Sequence, residues 1–266
     1  PLMMTTILDI FEPHERGKYM GIFGLVIGLA PAIGPTLSGY LVEYFNWRSL
    51  FHVVAPIAAI TFIIALFTVK NVGTNVKVPI DIISIILSVF GFGGLLYGTS
   101  SISHDGWDDP IVITTIIGGI ILVALFIWRQ SHLETPLLNF GVFKNKQFAI
   151  GLLIMAVTMI SMIGSETVLP MFVQNLLNES ALDSGLILLP GAIVMAVMSM
   201  TSGAMYEKFG AKPLAIIGML IVIITTSYFV VMDEHTSTIM LATVYAIRMI
   251  GIAIGLMPVM THTMNQ

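Results

Sequence analysis

Polar and apolar positions along this chain come in long blocks. Apolar stretches of about twenty residues, enough to cross a hydrocarbon core of about 30 Å, are separated by short polar joints. Eight complete stretches can be marked: Met20–Val42, Ser49–Val69, Ile80–Ile102, Pro110–Trp128, Phe148–Val173, Ser184–Met205, Pro213–Met232 and Thr238–Met260. Each is too long for a barrel strand, which runs about ten residues and alternates in polarity. Eight in succession with short joints argue against buried helices of a large soluble protein. The pattern predicts an all-α polytopic membrane protein with about eight complete transmembrane helices.

The joints alternate in charge. One set carries Arg16, Lys18, Lys70, Lys77, Arg129, Lys144, Lys146, Lys208 and Lys212; the other carries Glu43, Asp105, Asp108, Asp109, Glu179, Asp183, Asp233 and Glu234. Only Arg48 and Arg248 depart from the basic side. Lys and Arg mark the cytoplasmic face, so the weave starts inside at "DIFEPHERGKY", where Arg16 is read as an anchor of the inner loop, and reaches outside at "EYFNWRS". Trp47 and Trp107 then fall at the outer interface and Trp128 at the inner one, as an aromatic belt does. The longest inner joint, "RQSHLETPLLNFGVFKNKQ", places Leu137, Leu138, Phe140 and Phe143 between charged ends. It reads as an amphipathic interfacial segment or as a plain loop.

Composition supports this class. The chain is 56% hydrophobic and 10% charged, against about 25% charged in soluble domains. It contains no cysteine, so thiol chemistry and cysteine metal sites are excluded. No GxxxxGK[ST] phosphate loop, HExxH pair or basic nucleic-acid face is present, so an ATP site, a metal site and nucleic-acid binding are not expected. No enzyme chemistry is arguable. The chain begins at Pro1 in an apolar tail and stops after another apolar run, so the expectation is the middle of a longer protein.

Few residues inside the spans are polar enough to do chemistry. Arg248 lies about ten residues from either end of its span, roughly 15 Å deep at 1.5 Å per residue. An arginine there costs about 2.5–3.5 kcal/mol on insertion scales, so it should face the bundle interior and pair with an acid or with carbonyls. It serves either a structural intramembrane pair or the coupling of protons to substrate. Glu166 is the candidate acid, about 10 Å from the outer boundary by helix rise. Met155, Met159, Met162 and Glu166 fall on one helical face; that face is either ordinary packing or a flexible apolar wall ending in a carboxylate, suited to lipophilic cations. Asp81 opens its span as an acid complementing the helix dipole. His104 and His262 lie near loops and are given no role.

The stretch "GLVIGLAPAIGPTLSGYLVEY" mixes glycines and prolines into an apolar span. Lipid offers no water to backbone groups that proline frees. Small residues such as Gly28, Ala32, Gly34, Ser38 and Gly39 let a partner helix come close. The segment reads as a bent membrane helix with a close-packed face.

These residues resemble a known family. Gly21, Ala30, Gly34-Pro35 and Ser38-Gly39 follow the spacing of the antiporter signature of the major facilitator superfamily, with Ala30 and Ser38 replacing glycines. "GAMYEKFGAKP" resembles the superfamily's inner-loop gating motif through Gly203, Glu207, Lys208, Gly210 and Lys212, with Glu-Lys where Asp-Arg is usual. Gly251 and Gly255 after Arg248 are close to the arginine-glycine pattern of the superfamily's fourth helix. With "FNWRSLFHVVAPIA", "VPIDIISIIL" and "LETPLLNFGVFKNKQFA", the chain is similar to the fourteen-spanner drug:proton antiporters of the EmrB/QacA type. "PLMMTT" at Pro1 and "PVMTHT" at Pro258 share Pro, Met and Thr in register, as equivalent points of parallel repeats should.

The resemblance implies a partial major facilitator fold covering about helices five to twelve. Residues 1–78 would end the first six-helix half, 79–130 would be two extra linking helices, 131–147 a cytoplasmic linker, and 148–266 the start of the second half. It implies proton-coupled efflux of lipophilic or cationic drugs by alternating access from a bacterial plasma membrane. No cofactor is expected beyond the proton gradient, and the partners are the lipid bilayer, protons and a small amphipathic substrate. A carrier of a nutrient, lipid or metabolite is the alternative within the family; a non-transporting scaffold or receptor is the alternative of another class.

Overall fold

The computed structural model describes residues 33–69 and 81–264, with single positions at 6, 10, 26 and 30. Regular structure among the described residues is helical. Helix α1 covers 33–44, α2 Arg48–Thr68, α3 Ile82–Asp105, α4 Pro110–His132, α5 Lys146–Asn175, α6 Ala181–Phe209, α7 Ala211–Val230 and α8 Thr238–Met264. Helices α2 to α8 are each long and apolar enough to cross a membrane. Of the expected span Met20–Val42, only the end is described, as α1, which runs on to residue 44; the rest lies outside the described residues, apart from positions 26 and 30.

Several helices outrun their apolar spans. Helix α6 begins at Ala181 rather than Ser184 and ends at Phe209 rather than Met205. Local chemistry sets these ends. Ser180 and Asp183 form a reciprocal capping box at the start of α6, satisfying backbone donors that a helix N-terminus leaves open. Asp109 accepts from the backbone N–H of Ile111 and Val112 ahead of Pro110, which opens α4. Between α6 and α7 the chain reverses through Gly210 at φ 77°, a left-handed conformation that glycine adopts without steric cost.

Helices α3 and α4 belong to a compact unit spanning Thr74–Ala149. They approach backbone to backbone: a Cβ built on Gly119 would stand 2.8 Å from Leu95 N and 2.9 Å from Gly91 O. At one end Arg129 clasps Asp81 with both arms, Nε to Oδ2 at 2.7 Å and Nη2 to Oδ1 at 2.9 Å. Ser84 Oγ donates to the same carboxylate at 2.6 Å, and the buried Gln130 donates to Ser84 Oγ at 2.7 Å. Gln130 Oε1 in turn accepts from the Leu138 backbone N–H at 3.0 Å. Asp81 stands at the N-cap of α3, where an acid complements the helix dipole, and the structure adds a second role that the sequence did not show, counter-ion of Arg129.

The Arg129 guanidinium, followed by the Ser84 hydroxyl, holds the Asp81 carboxyl well below the usual carboxylate range. A depressed folded-state pKa contributes stability above the unfolded value of about 3.9, and that stability is lost as pH falls through the folded one. Asp81→Asn should therefore lower the melting temperature in detergent by the same few degrees at pH 8 and pH 5, with the gap closing only in strong acid. A gap that stays constant from about pH 5 down through about pH 2 would show that the Asp81 carboxyl is not held below its ordinary range.

Between Leu133 and Asn145 the inner joint holds one short regular element, a 3-10 turn at Phe140–Lys144, so the amphipathic reading is met by a turn and not an α-helix. Phe140 packs edge-on against Phe126 of α4 and stacks on Phe143.

The other compact unit comprises residues 1–73 and 150–266. Its core gathers Leu169 and Val173 of α5, Ile187, Leu188 and Met195 of α6, Val222 of α7, and Leu241, Tyr245, Met249 and Ile252 of α8. Helix α8 lies at the centre, with the largest buried share of any span. It crosses α7 at glycines: a Cβ on Gly218 would stand 2.5 Å from Gly251 O and 2.7 Å from Gly255 N. In lipid, where apolar side chains gain little from leaving the solvent, such close approach is a main source of helix association.

The interhelical contacts respect the weave read from the charges. Glu43 meets Leu182 at ends expected outside, and Asp81 meets Arg129 at ends expected inside. Gly151 lies against Thr263 at ends also expected inside.

Candidate functional site

Arg248, in the middle of α8, is 2% exposed. Its Nε donates to Ser165 Oγ at 3.2 Å, and its Nη2 donates to Ser161 O at 3.0 Å and Ser161 Oγ at 2.5 Å. Its Nη1 donates to Thr226 Oγ1 of α7, and the guanidinium carbon lies 5.6 Å from the Phe229 ring centroid. One side chain thus ties α8 to both α5 and α7. The expected partner was an acid or carbonyls; the structure supplies three hydroxyls and one carbonyl. Hydroxyls suit the task because each can accept from the arginine while donating elsewhere. Ser165 Oγ does so, donating to Ser161 O at 3.0 Å and Met162 O at 2.9 Å.

No ion pair joins Arg248 to Glu166 among the described residues. Yet Glu166 directly follows Ser165, so the acid and the guanidinium lie at nearly the same depth. Glu166 Oε1 is buried and has no hydrogen-bond partner. Pro170, inside α5, has no N–H, so the Glu166 carbonyl lacks its usual donor four residues on. Tyr245, one turn from Arg248 on α8 and buried, stands within electrostatic reach of both charges. The result is a fixed cation and a partnerless carboxylate oxygen at one level of the bundle.

The methionine stripe divides. Met162 is buried in the core and Met155 packs against it, whereas Met159 is exposed. The three therefore do not form one continuous wall leading to Glu166.

The motif helix α1 meets α6 in the same compact unit. A Cβ on Gly185 would stand 2.6 Å from Thr36 Cα and 2.8 Å from Pro35 O; one on Gly39 would stand 2.9 Å from Leu182 Cα and closer still to Ala181 O. Thr36 Oγ1 donates to Gly185 O at 2.9 Å. Glu43 Oε2 accepts from Leu182 N at 3.2 Å. Ser38 Oγ donates to Pro35 O at 2.9 Å, within its own helix. Gly34, expected on the packed face, meets nothing within 4 Å among the described residues. Ala30 is helical and exposed, and Gly21 lies outside the described residues. A cavity of about 430 Å³ opens beside this crossing, walled by Pro35, Ser38 and Gly39 and by Pro170, Gln174 and Ser184. Pro170 places its edge about one turn from Glu166.

The second motif is split by Gly210. Gly203, near the end of α6, meets nothing within 4 Å among the described residues, and Lys208 Nζ lies 5.4 Å from the Phe209 ring centroid. The Glu207 side chain lies outside the described residues, and Lys212 sits in the first turn of α7.

Sequence reasoning missed the hydroxyl partners of Arg248, the α6 side of the glycine crossing, and the Asp81–Arg129 clasp. One signal was available: Ser161 and Ser165 are four residues apart, on one face, at the depth of Arg248.

The profile of the Major Facilitator Superfamily matches residues 1–266. The chain is 46% identical over 266 residues to an uncharacterized MFS-type transporter of Bacillus subtilis, YhcA, covering all of this chain and 50% of that protein. It is 37% identical over 266 residues to the lincomycin resistance protein LmrB of Listeria monocytogenes, again covering all of this chain and 56% of the relative. A multidrug transporter protein of Bacillus subtilis, MdtP, matches at 31% over 268 residues, covering all of this chain and 49% of its own length. The chain thus spans about half the length of the relatives it matches.

Proposed function

The chain belongs to the major facilitator superfamily, and from that premise we propose that the intact protein is a proton-coupled exporter of lipophilic or cationic drugs. It is a multi-pass bacterial plasma-membrane carrier and not an enzyme. The names of LmrB and MdtP support drug efflux as the activity.

The single observation that carries the reading is the level shared by Arg248 and Glu166. Arg248 is fixed by hydroxyls and keeps its charge. A cationic substrate is repelled there unless Glu166 is ionised. A proton arriving from outside neutralises Glu166, and the cation then loses its attraction and leaves. One carboxylate thus serves the proton and the substrate in turn. The cavity beside Pro35 and Pro170 offers an outer approach to it. The Gly39–Gly185 crossing supports a hinge or seal between halves in alternating access, and the Gly203–Lys212 motif supports gating of the inner side.

Proteoliposomes carrying the full-length protein should move a fluorescent lipophilic cation uphill when a proton gradient is imposed, and an uncoupler should stop this. Glu166→Gln should reduce uphill accumulation by about the 5–150-fold that coupling free energies are worth, while downhill movement continues. Uphill transport that ignores the uncoupler would overturn the proton-coupled reading.

A further inference from the structure

We infer that the joint between α4 and α5 forms an anionic-phospholipid site on the inner face, with Lys144 and Lys146 holding the headgroup and Leu137, Leu138, Val142 and Phe143 entering the acyl boundary. Depth is the first argument. Gln130 is buried two residues before the end of α4 and holds the Leu138 backbone N–H. Phe126, still deeper in α4, holds the Phe140 ring. The joint is therefore folded back along the helix end and cannot hang free in the cytoplasm. It lies at the level of Asp81 and Arg129, the inner boundary of the α3–α4 hairpin.

Exposure is the second argument. With the segment pinned there, Leu137, Leu138, Val142 and Phe143 remain exposed. The 3-10 turn places residues three apart on one side, so Phe143 stacks on Phe140 and meets Phe148 at 5.9 Å in an edge contact, yet stays 47% exposed. Four apolar side chains held at a membrane boundary gain by entering the acyl region, as interfacial segments do.

Charge is the third argument and chooses the lipid. Lys144 and Lys146 follow directly after Phe143 and are exposed. Neither forms a salt bridge among the described residues. Arg129 is already neutralised by Asp81, and the one acid of the joint, Glu134, stands at its far end. Two free ammonium groups beside an inserted aromatic ring fit a phosphate-bearing anionic headgroup better than a zwitterionic one, whose own choline or ethanolamine competes. The site is independent of the proposed transport cycle.

The test uses the full-length protein in nanodiscs, with Trp47, Trp107, Trp128 and any tryptophan elsewhere replaced by phenylalanine and with Phe143→Trp as the sole reporter. Brominated phosphatidylglycerol and brominated phosphatidylcholine are compared as quenchers at equal mole fraction. The expected result is quenching by both lipids, stronger for the anionic one by about fivefold per lysine engaged. Lys144→Gln with Lys146→Gln should abolish that preference and leave phosphatidylcholine quenching unchanged. Equal quenching by the two lipids would overturn the headgroup site. Quenching by neither lipid, with full quenching by soluble acrylamide, would place the joint in water and overturn the whole inference. A preference that survives the double substitution would remove the lysines from it.

Discussion

Arg248→Ala should abolish efflux while the protein still reaches the membrane in normal amounts. Insertion should not suffer, because removing a buried arginine relieves about 2.5–3.5 kcal/mol on insertion scales. Nor are the partners stranded: Ser165 donates to carbonyls of its own helix, and Thr226 donates to Val222 O at 2.5 Å. What disappears is the tie from α8 to α5 and α7, four hydrogen bonds of a charged group worth about 1.5–3 kcal/mol each. The fixed positive charge beside Glu166 disappears with it. If only about 3 kcal/mol of that distinguishes one transport state from the other, the cycle slows by about a hundredfold. Arg248→Lys separates the two contributions. It keeps the charge but has no planar fork to reach Ser161, Ser165 and Thr226 together, so it should insert normally and recover a fraction of transport. The measurement is fluorescent-cation efflux normalised to membrane-inserted protein; wild-type rates in Arg248→Ala would remove the residue from the mechanism.

Gly39→Val should convert a tight exchanger into a leaky one. Even the Cβ of valine would overlap Ala181, and the opposing atoms are backbone that cannot rotate aside. The two helices must part, at a cost of about 1–3 kcal/mol for overpacking. Parting also strains the hydrogen bond from Thr36 Oγ1 to Gly185 O and that from Leu182 N to Glu43. Gly185→Ala attacks the same crossing from the other side, where a Cβ meets Thr36 and Pro35. Both variants should pass protons without substrate, read as dye-reported pH collapse in proteoliposomes. Gly34→Ala serves as the control, because a Cβ there meets nothing among the described residues. Tight vesicles with Gly39→Val would mean that the crossing is not the seal.

Hydropathy located the membrane spans because it measures where lipid is, and the interhelical contacts keep to the alternation of ends read from the charges. Hydropathy did not locate helix ends. The Tyr206–Phe209 end of α6 is polar enough to leave the apolar run, yet its backbone bonds continue. The depth of Arg248 was legible by counting; its partners were not, because serine and threonine are common in these spans and only packing shows which ones converge. The clasp of Asp81 and Arg129 was hidden for a different reason: each charge had a sufficient local explanation, one as a helix-start acid and the other as an inner-side base. Gly39 was readable as a close-contact residue, but Gly185 lies far along the chain, and only the fold sets Gly39 against Ala181 and Leu182 and Gly185 against Pro35 and Thr36. Gly34 carried the same signal as Gly39 and meets nothing among the described residues.

The bond from Leu182 N to Glu43 has an electrical side. The start of α6 carries the positive end of a helix dipole, about half an elementary charge, and part of its compensation comes from a carboxylate on another helix. Separating α1 from α6 removes the Glu43 share and leaves the Ser180–Asp183 box in place. In water the Glu43 carboxylate is rehydrated and the separation costs little; against acyl chains it would stay without a partner, at a cost of several kcal/mol. Parting of this crossing would therefore be cheaper toward water than toward lipid, and a single acidic side chain sets that preference.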